Sequence, residues 1–322
     1  MSSLSRSATA LRAAEMYFID NMTMDDIGNA LGCSRATVSR LVAEAKTSGL
    51  VEIIVHRKGR APATLERVIG ERYGIDVTVV APPTTATDGD RLRYGATQGA
   101  ALLRANLAPD LSVAVTWGVT VAAVARSLSP GVVPGLQIVQ MSGTGNTFSS
   151  GAEYASGTLG RFGAALGARV HHFPVPAFFD APASQTAMWS ERSVQRVLRL
   201  QQRANVAVFS LSALGGPIPG HLYRAGYLQR EELQSLARQG VVGDVGTVFL
   251  RADGSSETLP INARSSGMPI DALKMIPKRI CIALGAAKAP VIRAALLAGA
   301  ITDLVVDDAA ADLLALSEAP AM

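Results

Sequence analysis

The chain has 322 residues, 48% of them hydrophobic and 17% charged, with a formal net charge of +4. This length predicts about two domains with a large core, and the composition fits a compact soluble protein rather than a disordered one. The charge is compatible with a polyanionic partner without demanding one, while membrane spanning is excluded: the longest apolar stretch, 111–125, is short and interrupted by Thr116, Gly118 and Thr120.

The N-terminus lacks the charged, apolar and small-residue order of a signal peptide, and the two cysteines, Cys33 and Cys281, show no metal-ligand or redox spacing. A cytoplasmic protein with no metal site and no cofactor is expected. An amphipathic segment at 8–20, with Leu11, Ala14, Tyr17 and Phe18, supplies the first helix of a three-helix core. Two short helices around a tight turn follow at 23–40. Thr23 caps a helix carrying Met24, Ile27 and Leu31 on one face, with Asp25 and Asp26 at its positive end. Gly32 ends that helix, and Gly28 lets its neighbour approach closely. Ser34 caps a second helix in which Val38, Leu41, Val42 and Ala45 repeat at helical spacing. Ser34, Arg35, Thr37, Ser39 and Arg40 remain at its N-terminal end and outer side, the part of a recognition helix that meets base edges and phosphates. The bland alternative is a helical hairpin with a solvated basic face. Beyond Ser48 and Gly49, residues 51–55 alternate like the strand of a wing, and His56, Arg57, Lys58 and Arg60 form a basic hinge. Residues 1–57 are therefore expected to be a winged helix-turn-helix domain binding double-stranded DNA.

From Pro62 the texture becomes strand, turn, helix, repeated, which predicts a mostly parallel α/β domain over 58–322 with helices on both faces of the sheet. The predicted strands are 77–80, 112–116, 136–141, 169–173, 206–210, 279–284 and 303–306. The predicted helices are 91–107, 153–166, 191–203, 231–239, 288–298 and 308–316, and 82–90 reads as a loop. In such folds ligands bind beyond the carboxyl ends of strands. Three loops there carry useful chemistry. Thr116, Gly118 and Thr120 follow one strand and open a helix, offering free amides and a hydroxyl to an anion. Ser142, Gly143 and Thr144 follow the next strand in a turn suited to phosphate or sugar oxygens. Lys288 follows Gly285 at a helix start, where a cation is costly unless an anion is present. Asn262 and Arg264 add an amide and a guanidinium. Singly, each loop serves equally well as a chain reversal; together they favour a pocket.

The order of these pieces resembles the SorC/DeoR-type sugar-binding transcriptional regulators. The resemblance covers nearly the whole chain, and its most specific parts are SRATVSRLVAEAKTSGLVEI at 34–53, TWGVT at 116–120, RAGYL at 224–228, GDVGTVFLRADG at 243–254, NARSSG at 262–267 and the ending LGAAKAPVIRAALLAGAITDLVVDD. It implies a Rossmann-like effector domain akin to sugar-phosphate isomerases, a homo-oligomer (dimer or tetramer), and a sugar, polyol or sugar-phosphate effector of a carbohydrate operon. Carried over by position, Thr116, Gly118, Thr120, Asn262, Arg264 and Lys288 become effector contacts, joined by Asp244 and Asp180. An isomerase or deaminase-like enzyme is the rival reading, requiring a carboxylate and a histidine. His171 and His172 are neighbours in a predicted strand and must face opposite ways, His221 lies in the loop GGPIPGHLY, and His56 is in the hinge. No catalytic spacing emerges, so binding without turnover is expected, with both Arg40 and Lys288 exposed.

Overall fold

The computed structural model describes residues 3–48, 50–51, 60–83, 85–215, 221–224 and 226–317. The chain divides into two compact units, Met1–Arg57 and Lys58–Met322.

The first unit holds α1 (Ser3–Phe18), α2 (Met24–Leu31) and α3 (Arg35–Thr47). Its ends are set locally. Thr23 Oγ1 accepts from the Asp26 amide at 3.2 Å, Ser34 Oγ accepts from the Thr37 amide at 3.3 Å, and Gly32 closes α2 in the left-handed region at φ 65°. Ala10, Ala13, Ala14, Met16, Ile27, Val38, Leu41, Val42 and Ala45 form the core. Leu11, expected inside, is instead exposed, because Ala13 and Met16 define the buried stripe of α1. The expected wing and hinge fall outside the described residues except for Val51, which packs on this core, and the exposed Arg60.

The second unit begins with α4 (Pro62–Tyr73) and β1 (Asp76–Val80), then α5 (Asp88–Ala105), β2 (Ser112–Val115), α6 (Val119–Ser127), β3 (Gln137–Gln140), α7 (Ala152–Leu166) and β4 (Arg169–His171). It continues through α8 (Pro182–Ser190), α9 (Arg192–Gln202), β5 (Val206–Phe209), β6 (Leu211–Ala213), α10 (His221–Arg224), α11 (Arg230–Arg238), β7 (Val241–Val245) and β8 (Val248–Arg251). It ends with α12 (Ile270–Lys274), β9 (Lys278–Ala283), α13 (Ala289–Leu297), β10 (Asp303–Asp307) and α14 (Asp308–Leu316). Seven strands make one parallel sheet in the order β1-β10-β9-β5-β2-β3-β4. They are the seven strands the sequence predicts, with ends moved by one or two residues. Alternate strand residues feed two cores. Ala114, Phe209, Cys281 and Leu304 pack with α4, α12, α13 and α14, while Val113, Val208, Ile282 and Val305 pack with α5, α6 and α7.

Three features depart from the expectation. Helix α5 starts at Asp88, inside the expected loop, because Thr87 and Asp90 form a capping box. Helix α4, absent from the prediction, starts at a proline and buries Leu65 and Ile69. A second, antiparallel sheet of β6-β7-β8 stands apart from the first. Its β7–β8 turn has Gly246 at φ 52° and Thr247 at φ 76°, the positive pair that a tight type I′ hairpin requires.

The chain builds β2, β3 and β4 outward in one direction and then returns to lay β5 on the other side of β2. The sheet's topological switch therefore lies between β2 and β5, where an open α/β sheet forms its crevice.

Candidate functional site

In the first unit, Ser34, Arg35, Ser39 and Arg40 are exposed, and Thr37 is half-buried. All five lie at the start of α3 or at its cap. Ser34 and Thr37 share a hydroxyl contact at 2.9 Å, and Arg40 Nε donates to the Ala36 carbonyl at 3.3 Å. Arg35 sits 3.5 Å from Asp25, but both side chains are largely solvated, so the pair holds Arg35 only weakly. The exposed polar and cationic surface of α3 is thus available to a major groove.

In the second unit, a cavity of 580 Å³ opens at the switch point. Thr116 and Gly118 enter from the end of β2, Ser142 from β3, Ser210 from β5, and Gly285 and Lys288 from the end of β9. The β7–β8 hairpin contributes Asp244 and Thr247, and α5 contributes Arg91. Gly118, at φ 141°, precedes α6 with no side-chain cap, so the first amides of that helix remain available beside the cavity. The hydroxyls of Thr116 and Ser142 are buried and have no hydrogen-bond partner among the described residues. Leaving such groups unsatisfied costs about 1–3 kcal/mol each.

The charged wall is internally balanced. Arg91 donates to Asp307 Oδ2 at 3.3 Å and to Asp308 Oδ1 at 3.2 Å. Asp307 is fully buried, and its other oxygen accepts from the Gly285 and Ala310 amides at 3.0 and 3.2 Å. This carboxylate therefore fixes both the loop after β9 and the start of α14. Asp244 accepts from Tyr223 Oη at 2.9 Å and from the Thr247 amide at 3.0 Å. Burial pushes its carboxyl up to about 6, against the pull of these hydrogen bonds and of Lys288. Lys288 is half-buried, not exposed as expected, with Nζ 3.4 Å from Ser210 Oγ. Burial draws its ammonium below the ordinary lysine range, partly offset by Asp244 and Asp307, and the buried Cys281 thiol nearby is pushed up to about 12.

Of the effector contacts expected from the sequence, Thr116, Gly118, Thr120, Ser142, Asp244 and Lys288 line this cavity. The others do not. Gly143 and Thr144 turn away: the Gly143 amide donates to Ser266 Oγ, and a Cβ there would lie 2.2 Å from the Val175 carbonyl oxygen, so close backbone packing explains the glycine. Thr144 Oγ1 donates to the Ser150 carbonyl at 3.3 Å. Asn262 spends its amide on the backbone of Phe249 and Ser256, clamping β8. Arg264 pairs with Glu232 and donates to the Phe179 carbonyl. Asp180 is exposed, away from the cavity lining. Arg91, Ser210 and Thr247 are cavity residues that sequence reasoning missed, along with the supporting Asp307. Asp307 immediately follows a predicted strand and was findable by the carboxyl-end rule, whereas Arg91 depends on a helix start hidden in an expected loop.

The raised carboxyl and depressed lysine are the kind of couple that proton transfer uses. A histidine partner is missing from the described lining. His171 is bonded to Gln137 Oε1 at 3.0 Å in β4, and His172 faces solvent, so the two do point oppositely. Residues 216–220 and the side chain of His221 lie outside what the structure describes. Among the described residues no cluster suited to a metal ion is present, and no helix is long and apolar enough to cross a membrane.

Residues 59–315 match the family of sugar-binding domains, and residues 21–51 match the bacterial regulatory proteins of the crp family. The chain is 29% identical to the deoxyribonucleoside regulator of Bacillus subtilis (strain 168), over 92% of this chain and 94% of that protein. It is 30% identical to the transcriptional regulator LsrR of Escherichia coli (strain K12), over 94% and 93% of the two chains. A crystal structure of a domain of a possible sugar-binding transcriptional regulator from Arthrobacter aurescens TC1 is 40% identical. It superposes with a TM-score of 0.75 over 80% of this chain and all of that one. The full-length sorbitol operon regulator SorC from Klebsiella pneumoniae shares the fold, at 22% identity and a TM-score of 0.71 over 97% and 99% of the two chains.

Proposed function

The chain belongs to the family of sugar-binding transcriptional regulators and is a sugar-responsive, DNA-binding regulator; on that premise we propose that the cavity between β2 and β5 holds the effector and that α3 reads the operator. The observation that carries this assignment is the pair of buried hydroxyls on Thr116 and Ser142 in the cavity wall, unpartnered among the described residues. A polyhydroxylated ligand satisfies them, and Asp244, Ser210 and Lys288 add an acceptor and donors for further hydroxyls. The open start of α6 at Gly118 suits a phosphate or an anomeric oxygen of such a ligand.

The effector is bound and not turned over, and it controls transcription of a carbohydrate or polyol operon from the cytoplasm. That the relatives are named as transcriptional regulators supports binding without isomerisation. The protein works as a dimer or tetramer that pairs its α3 helices on repeated half-sites, and the effector acts by differing in affinity for two arrangements of the assembly. The roles of Thr116, Gly118, Thr120, Ser142, Asp244 and Lys288 as effector contacts, and of Ser34, Arg35, Thr37, Ser39 and Arg40 as DNA contacts, are part of this proposal.

Thermal melting against a panel of sugars, polyols and their phosphates, with product analysis for each binder, tests the reading. One compound class should raise Tm without being converted, and Lys288→Met should abolish that rise while retaining DNA binding. A converted ligand would restore the enzyme, and an unchanged rise in Lys288→Met would remove Lys288 from the site.

A further inference from the structure

Helix α9 carries a regular charge pattern that the effector site does not use. Val194, Val197 and Gln201 turn inward, toward a small core with Phe173, Phe179 and Trp189. Arg192, Arg196, Arg199 and, just past the helix end, Arg203 fall at intervals of four, three and four residues, the spacing of a single helical stripe. All four are exposed, and their side chains form no ion pair or hydrogen bond among the described residues. At 1.5 Å per residue the stripe runs about 16 Å.

The surroundings extend the positive field. Arg169 of β4, His172 just beyond it and Arg161 of α7 are also exposed, and the charges of Arg196 and Arg169 reinforce burial in drawing the neighbouring His171 imidazole down. Between residues 154 and 203 there are six arginines and only two acids, Asp180 and Glu191, so this segment alone carries a net +4, equal to the whole chain. Residues 1–57 hold six Lys or Arg and six Asp or Glu, a net of zero. The long-range attraction to phosphate that drives non-specific DNA binding therefore has little source in the helix-turn-helix unit.

We propose that the arginine stripe Arg192, Arg196, Arg199 and Arg203 is a second, sequence-independent DNA-contact surface, gripping the phosphate backbone of duplex outside the sequence read by α3. Charge complementarity carries the choice of partner: the stripe consists entirely of arginine, whose planar fork suits bidentate phosphate contact. The inference rests on the DNA-binding reading of this chain.

The test uses the full-length protein and a triple variant, Arg196→Gln, Arg199→Gln and Arg203→Gln, against a long duplex of random sequence. Binding is followed by fluorescence anisotropy between about 50 and 200 mM salt. The slope of log K against log salt should become shallower by about two to three, because each lost phosphate contact removes about 0.9. Affinity at the low-salt end should fall at least tenfold, and the three corresponding Arg→Lys changes should restore most of the slope. Mass in solution and melting temperature should be unchanged. An unchanged slope in the triple variant overturns the proposal while leaving the regulator reading intact. A changed mass overturns it in favour of a contact between subunits. Failure of the unmodified protein to bind any duplex would instead undo the DNA-binding reading itself.

Discussion

Thr116 and Asp244 give the cavity two opposite kinds of tension. The Thr116 hydroxyl is buried without a partner among the described residues, so removing it should help the ligand-free protein and harm the complex. Thr116→Val should leave the ligand-free melting temperature unchanged or slightly raised, while the rise produced by the effector shrinks. A loss of ligand-free stability with a full effector response, in paired melting curves, would show that the hydroxyl serves the fold. Asp244 stores its tension as charge. Its carboxyl titrates at about 6 in the fold, above the usual 3.8, so the folded state holds the proton more tightly than the unfolded chain. The resulting stability is fully present below about pH 4 and is lost as pH rises through about 6. At about 1.4 kcal/mol per unit this amounts to something on the order of 3 kcal/mol. Denaturant unfolding of the ligand-free protein from pH 4 to 7 should show the decline, and Asp244→Asn should flatten it. An equally steep decline in the variant would assign the dependence to other groups. That Thr116 and Ser142 line the cavity was legible because the carboxyl-end rule is local. Asn262 and Arg264 lie outside this cavity, held by Phe249 and Glu232, partners fixed by tertiary packing that no spacing reveals.

Among elements, the α2–α3 pair is the most fully specified by local sequence, since caps, turn and buried stripe all agree. Gly28 is the point where the two helices meet. A Cβ there would sit 2.7 Å from the Cys33 carbonyl oxygen, and backbone cannot give way cheaply. Gly28→Val should destabilise this unit by about 1–3 kcal/mol and abolish operator binding. The effector-induced shift of the second unit should persist in the same sample; loss of that shift would show that the units do not act separately. The seven strands of the parallel sheet were readable because buried parallel strands are short, apolar and punctuated by turns. The β6-β7-β8 sheet was not. Its hairpin turn, Gly246 and Thr247, sits inside the run DVGTVFL without an Asn-Gly signal, and Thr247 adopts a positive φ that its sequence does not advertise. That hidden hairpin delivers Asp244 and Thr247 to the cavity, so the missed element and the incomplete reading of the site have one cause.

At the scale of the whole molecule, a net-neutral reading head and a larger unit with a sugar-sized cavity divide recognition from control. Control by an effector then requires that it bind two states of the protein unequally, and couplings of 1–3 kcal/mol, about 5- to 150-fold in affinity, are typical of such linkage. Fold and family were legible across nearly the full length, because the order of motifs is itself a sequence property. The chemistry of the effector was not, because it depends on how Arg91, Asp244, Asp307 and Lys288 neutralise one another across four separate elements. The measurement that tests the central claim most directly is binding to the DNA upstream of the protein's own and neighbouring genes, with and without each sugar, polyol and phosphate that raises its Tm. A specific complex whose affinity shifts at least fivefold with one such compound is the predicted result. A specific complex indifferent to every stabilising compound, or no specific complex under any condition, would contradict it.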